Sequence, residues 1–443
     1  MSSPNITGGV DKTRALINKG ANELLEMNDN TAITLLTFLT FFIIILSFIY
    51  YFYYNGAGTI GGISIILIVT IMTSIVGQAV MGTAGAMIGG IIGALIGITI
   101  FTKMSNSKIN RNCSVMDGVY GEKNIAISNT REISNPFYDY YVKTAYNCCS
   151  GGDYRNDYVS MCSLNDLLKQ GVRGLDFEIY SINDEPVVAT STVDNYCVKE
   201  TFNYINFSDV LTNVLNNAFT SNAPNPNDPI IFHLRIKSEN KAMYTKFAQL
   251  LQSIPTNRIM DSKYSYENKQ DGHITNFGAV PLSDMMGRII IIVDRSNPTC
   301  LCESEDCADC NNFYEFVNMT SNSTFMQVLR YNDIEYTQTP DDLINQNRAA
   351  MTIGIPNKGP NPANPSSVVM RSLGCQMLAM RYQSVDANVE ENDLFFNTAG
   401  HAFVLKPPEL RAQITIVAPP TPQNPALFYN DRILKSDIYE LNV

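Results

Sequence analysis

Four cysteines in CLCESEDCADC, namely Cys300, Cys302, Cys307 and Cys310, form the densest set of candidate ligands in the chain. Their C-x-C-x4-C-x2-C spacing could hold a tetrahedral zinc through thiolates at about 2.3 Å each. A C-x-C pair is a poor zinc half-knuckle, however, and in an oxidising compartment the same residues would close two disulfides around an acidic loop. Disulfides or free thiols are therefore expected ahead of zinc. Cys148 and Cys149 are adjacent, but no His lies near them in sequence to generate a thiolate nucleophile. The three histidines, His233, His273 and His401, do not stand at metal-ligand spacing from one another.

Ten cysteines in 443 residues do not fix a redox compartment. The net charge of -11 and the lack of clustered Lys and Arg exclude nucleic acid as a partner and disfavour tight binding to an anionic lipid surface. Five N-x-S/T sequons begin at Asn5, Asn112, Asn206, Asn318 and Asn322, and the abundance of Asn makes chance their simpler source.

Charge is distributed unevenly. From Asn30 to Thr102, 73 residues carry none, a length without charge that implies a membrane region. Residues 33–54 are long enough for one span and end in the aromatic cluster Tyr50 to Tyr54, suited to the lipid–water interface. The stretch 63–101 is too long for one helix and divides near Gly77 and Gln78, giving expected spans at about 59–77 and 79–101. Gly85, Gly89, Gly93 and Gly97 recur at every fourth position, placing four glycines on one helix face where another helix can approach closely. Before the spans, residues 1–31 form a polar or interfacial segment.

Beyond residue 108 helical and strand patterns alternate. LNDLLKQG precedes the strand VRGLDFEIY, FSDVLTNVLNNAF precedes PIIFHLRI, and KFAQLLQSI precedes RIIIIVD. Uninterrupted apolar strands alternating with helices indicate a parallel sheet covered by helices, and roughly 250 residues or more suit a (β/α)8 barrel.

The order and wording of these strands resemble the phosphoinositide-specific phospholipase C family in both of its halves. KTAYNCCSGGD (Lys143 to Asp153), GVRGLDFEIY (Gly171 to Tyr180) and EPVVATST (Glu185 to Thr192) look like first-half motifs. GCQMLAMRYQS (Gly374 to Ser384) and GHAFVLKPPELR (Gly400 to Arg411) look like second-half motifs. The resemblance implies a TIM-like barrel over 135–411; the uncharged run adds the transmembrane region 32–102 before it, leaving a linker 103–134 and, after the barrel, an extended tail 412–443.

Carried across residue by residue, the resemblance puts the family's two catalytic His on Tyr146 and Thr190, neither able to exchange protons near neutral pH. Asn147, Asp176 and Glu178 match calcium ligands, and the two carboxylates, two apart, point the same way from a strand. The fourth ligand position falls on Arg235, whose guanidinium would repel calcium and pair with Asp176 or Glu178. The phosphate-binding Lys positions fall on about Ile292 and Asp294, leaving Lys358 as the basic residue of NKGPNPANP.

This reading predicts a pseudoenzyme without cofactor or calcium: a multi-pass integral membrane protein presenting a non-catalytic barrel as a structural, assembly or binding module. Expected partners are the lipid bilayer and other membrane or capsid proteins in an oligomer or larger assembly. The absence of Trp and the richness in Asn suit a virion membrane or minor capsid component, on a viral inner membrane or host endomembrane. The alternatives are an active phosphoinositide phosphodiesterase and a lipid-headgroup-binding protein.

Overall fold

The computed structural model describes residues 42–43, 45–46, 59–121, 132–194, 197–266, 274–297, 313–412, 424 and 432–443. Most of the expected span 33–54, the segment 1–31, His273 and the four cysteines at 300–310 lie outside the described residues. The chain divides into two units, Met1–Arg411 and Ala412–Val443.

Helix α1, Thr59–Tyr120, is long and apolar enough over Gly61–Tyr120 to cross a membrane. It is interrupted at Met81 (φ -131, ψ 16) and Gly82 (φ 63, ψ -148), the latter a conformation open to glycine and costly for other residues. The break turns the chain back on itself and pairs two antiparallel arms. A Cβ on Gly77 or Gly85 would collide with the other's carbonyl, one on Gly89 or Gly93 would collide with Thr73, and one on Gly97 would come within 2.7 Å of Ile66 Cα. The turn lies four residues beyond the expected division at Gly77 and Gln78, because Gly77 is used for close backbone approach to Gly85. Outward-facing Met87, Ile91 and Leu95 are exposed.

The second arm does not stop at 101 as expected from hydropathy. It continues as regular helix to Tyr120, through much of the segment expected to be a linker, because its last turns pack on the barrel: Met116 and Tyr120 enter the main core cluster.

The barrel strands are β1 Tyr140–Ala145, β2 Gly174–Ile182, β5 Ile230–Ile236, β6 Ile289–Asp294, β7 Met319–Ser321, β8 Met326–Arg330, β9 Met351–Ile355 and β10 Met377–Met380. Parallel ladders join them in the order β7-β6-β5-β2-β1-β10-β9-β8. A bridge between Ser323 and Met326 marks the seam at β7 and β8. β3 (Glu185–Ala189) pairs antiparallel with β2 and with β4 (Ile205–Asn206), and β11 (Phe403–Leu405) pairs antiparallel with β1. The helices between strands are α2 Met161–Lys169, α3 Phe207–Asn217, α4 Lys241–Gln252, α5 Tyr331–Glu335, α6 Pro340–Ala349, α7 Ser367–Ser372 and α8 Ala387–Ala399.

The two-residue strand period sorts side chains between two cores. Leu175, Phe177 and Ile179 of β2, with Ile230, Phe232 and Leu234 of β5, face the helices, each fully buried and worth about 1.5–3 kcal/mol on removal from water. The alternate positions face the barrel interior, where Val142, Ile231, Ile292, Ile353 and Met377 cluster. The same alternation turns Asp176, Glu178, His233 and Arg235 inward.

Caps set the helix limits: Ser160 accepts from Cys162 N at the start of α2, and Asp386 from Asn388 N and Val389 N at the start of α8, which Gly400 (φ 69) ends. In the second unit, β12 (Ile433–Lys435) and β13 (Glu440–Asn442) form an antiparallel hairpin where an extended tail was expected.

Candidate functional site

Strands β2 and β5 run side by side with Asp176 level with His233 and Glu178 level with Arg235. Just past β1, Asn147 adopts φ 49, a left-handed conformation Asn tolerates better than most residues, and this turns its amide toward the carboxylates. Arg235 lies between them. Its Nη2 donates to Asp176 Oδ1 at 2.7 Å and to Asn147 Oδ1 at 2.8 Å, its Nε to Asp176 Oδ2 at 3.0 Å, and its Nη1 to Glu178 Oε1 at 2.8 Å. The other face of the guanidinium is covered by Tyr146, with Arg235 Cζ 4.4 Å from the ring centroid.

The carboxylates have further partners. Glu178 Oε2 accepts from Tyr180 Oη at 2.7 Å and Ser191 N at 2.9 Å, and lies 3.2 Å from Lys237 Nζ. Asp176 Oδ2 is 2.7 Å from His233 Nδ1, and His233 Nε2 is 2.9 Å from Ser321 Oγ. Ser321, His233 and Asp176 thus follow the hydrogen-bond order of an acyl-transfer triad, but all three have no exposed surface, and a triad needs a substrate at its nucleophile.

These contacts set the charges. Burial alone would raise the Asp176 carboxyl, but Arg235 and His233 outweigh it and hold the group well below the usual carboxylate range. Burial opposes the charge of Arg235, yet Asp176, Tyr146 and Glu178 drive its affinity for the proton well above the ordinary value. Burial lowers Lys237 despite Glu178 beside it.

The site does not fit calcium. Asn147 Oδ1, both oxygens of Asp176 and Oε1 of Glu178 all accept from one guanidinium, so the oxygens that would ligate a cation surround a fixed positive charge.

Tyr146 and Thr190 are equally committed. Burial pushes Tyr146 above the ordinary phenol value, and its hydroxyl receives Arg330 Nη1 at 3.4 Å. Thr190 Oγ1 donates to Tyr154 O at 2.9 Å. Cys148, next to the site, is buried with its thiol pushed well above the ordinary value, and burial takes Cys149 up to about 12. Neither supplies a thiolate. Among the described residues, no cluster of three or more His, Cys, Asp or Glu could hold a metal ion.

Above Arg235, at the carboxyl ends of the strands, opens a cavity of about 800 Å³. Among the described residues its lining carries four cations, Arg235, Lys237, Arg330 and Lys358, against four carboxylates, Asp194, Glu239, Asp294 and Asp333. Arg330 and Lys358 both pair with Asp194, the latter at 2.9 Å. Lys237 donates to Val193 O at 2.7 Å.

His233, Lys237, Ser321, Asp194 and Arg330 escape the sequence reading. The signal for two of them is in the strand itself: in IIFHLRIK, His233 and Lys237 stand two residues either side of Arg235 and so share its inward face. Ser321, Asp194 and Arg330 arrive from distant segments and have no local signal.

Residues 133–295 match the family profile described as phosphatidylinositol-specific phospholipase C, X domain. Among solved structures, PLC21 of L. pealei is similar at 17% identity with a TM-score of 0.49, and PLC21 of S. officinalis at 17% and 0.48. Each alignment covers 63% of this chain and 38% of the other, so the chain spans well under half the length of these relatives. A calcium-dependent phosphoinositol-specific phospholipase C from the Gram-negative bacterium Pseudomonas sp. aligns at 10% identity and a TM-score of 0.39, covering 64% of this chain and 99% of that one. No curated protein sequence matches. On a TIM-like barrel of parallel strands, residues 133–295 thus carry the match to the phosphatidylinositol-specific phospholipase C X domain, and over this region the chain is similar to that family.

Proposed function

We propose that this protein is a membrane-anchored, non-catalytic phospholipase C-like barrel that serves as a structural or assembly module. The observation that carries the reading is the Arg235 guanidinium, bonded to Asn147, Asp176 and Glu178 where a cation would otherwise neutralise a developing phosphate charge. The positions corresponding to acid and base hold Tyr146 and Thr190, whose hydroxyls are engaged within the protein.

The anchor is the apolar hairpin of α1, whose arms of about 20 residues each match a hydrocarbon core of about 30 Å. With the apolar stretch 33–54 ahead of it, the protein is multi-pass. Its partners are the bilayer and neighbouring membrane or capsid proteins, and its setting is a virion membrane or host endomembrane where a barrel surface ties lipid to a protein shell.

The experiment is turnover by the full chain in phosphatidylinositol vesicles. No release of inositol phosphate above the vesicle blank, with or without calcium, is expected. Release that is lost in Glu178→Gln would overturn the reading. A second reading, weak binding of a lipid headgroup, is favoured by the cavity over Arg235 and is tested apart from the anchor with soluble inositol phosphate: its binding to the full chain without turnover supports it.

A further inference from the structure

The second arm of α1 leaves the apolar hairpin and runs directly onto the barrel, and the order of its contacts fixes which end of the barrel it meets first. Thr102 is the last residue of the uncharged run and Lys103 the first charge. Three residues beyond Thr102, Ser105 Oγ accepts from Tyr158 Oη at 3.0 Å. Lys108 Nζ lies 3.4 Å from Asp157 Oδ1, and Asn112 Nδ2 donates to the same oxygen at 3.2 Å. Cys113 is disulfide-bonded to Cys162 at the start of α2. Asp117 lies 3.5 Å from Lys169 at the end of α2, and Tyr120 O accepts from Gln170 Nε2 at 3.0 Å.

Helix α2 connects the carboxyl end of β1 to the amino end of β2, so it runs from the mouth of the barrel to its base. Contacts that climb in register along both helices make the α1 stem parallel to α2. The membrane end of the stem is therefore at the mouth, and Tyr120 is at the base. Between residues 83 and 120 the helix has no break, so no hinge separates the apolar arm from the stem.

From this order we propose that the stem of α1, fastened by the Cys113–Cys162 disulfide, holds the mouth of the barrel against the headgroup layer of the bilayer that contains its own hairpin. The proposal rests on the reading of the hairpin as a membrane anchor. The distance along the helix from Thr102 to Ser105 is about 4.5 Å and to Lys108 about 9 Å, which sets the loop 156–158 and the mouth beside it at headgroup level. The tether, not affinity, brings the surfaces together, since the chain carries a net charge of -11. Among the described residues the lining of the cavity balances four cations with four carboxylates, and this charge balance, with the net charge of -11, points to zwitterionic headgroups of the phosphatidylcholine type as the partner rather than anionic ones.

The test uses the full chain in phosphatidylcholine vesicles carrying a headgroup spin label, with a fluorescent amino acid at one of two exposed positions. Val198 lies beside Cys197 of the mouth cavity, and Thr256 lies in the loop between α4 and β6, at the base. The stem covers about 22 Å from Ser105 to Tyr120, so quenching at Val198 should exceed that at Thr256 at least about twofold. Equal quenching, or stronger quenching at Thr256, overturns the orientation. A difference seen only when phosphatidylserine is added overturns the choice of headgroup. Failure of the chain to float with the vesicles is a distinct result, which overturns the anchor itself and the orientation with it.

Discussion

Glu178 and Arg235 are level with each other on adjacent parallel strands, and Arg235 Nη1 donates to Glu178 Oε1 at 2.8 Å. Asp176, one inward-facing position before Glu178, takes the other edge of the same guanidinium at 2.7 and 3.0 Å. Two carboxylates that would repel each other in a dry barrel are thereby bridged by one covalently attached cation, with Lys237 Nζ 3.2 Å from Glu178 Oε2 as a second positive charge. The arrangement makes the site permanent where a metal-dependent one would be conditional.

The first consequence is energetic. Arg235→Met removes the shared cation while leaving both acids buried, and breaking a buried pair in this way costs about 3–5 kcal/mol. Urea denaturation of the full chain should show a midpoint shifted down accordingly. A loss below about 1 kcal/mol would mean that water or Lys237 takes over the neutralisation.

Acid should act through Asp176. Its folded affinity for protons is held below the ordinary carboxylate value near 3.9, so its stabilising contribution is complete above that value and is lost as pH falls toward the lower folded one. The wild-type melting temperature should therefore drop on acidification below about pH 4, and the drop should be smaller in Asp176→Asn.

Lys406 contributes a penalty where Asp176 contributes stability, although both make the protein more stable as pH rises. It is buried with Nζ donating to Asn347 O at 2.8 Å, and burial brings it down to about 7. The unfolded chain binds this proton up to about pH 10.4 and the folded chain only to about 7, so the penalty for burying it is fullest at or below pH 7 and shrinks as pH rises. Lys406→Met should be more stable than wild type at pH 7, with the gain shrinking by up to about 1.4 kcal/mol per unit toward pH 8.5. Gln376 Nε2 continues to satisfy Asn347 O at 2.8 Å in that variant.

The Cys113–Cys162 disulfide joins residues 49 apart in sequence, a separation at which such bonds add about 2–4 kcal/mol. Cys113→Ser should lower stability by this amount, and amide exchange should rise in residues 103–120 more than in the barrel strands. Unchanged protection of 103–120 would show that Met116, Tyr120 and the Lys108–Asp157 pair hold the stem unaided.

Much of this architecture is legible in the residues because it depends on local pattern. The apolar runs of β2, β5 and β6 read as strands buried on both faces, and the spacing of Asp176 and Glu178 puts them on one side. What escapes depends on tertiary partners. Residues 103–120 look like a polar linker since their apolar positions are sparse, and only the barrel surface explains the helix. The Cys113–Cys162 pairing needs two helices brought to a Cα separation of 5.8 Å. The hairpin turn is displaced to Gly82 because two glycines were available and the packing uses the other.

Calcium titration of the full chain tests whether Arg235 stands in place of a cation. The wild type should show no calcium-dependent change in melting temperature. Arg235→Glu exchanges the guanidinium for a third carboxylate beside Asp176, Glu178 and Asn147, so it should be destabilised without calcium and recover as calcium is added. Stoichiometric calcium binding by the wild type, lost in Asp176→Asn, would contradict the account.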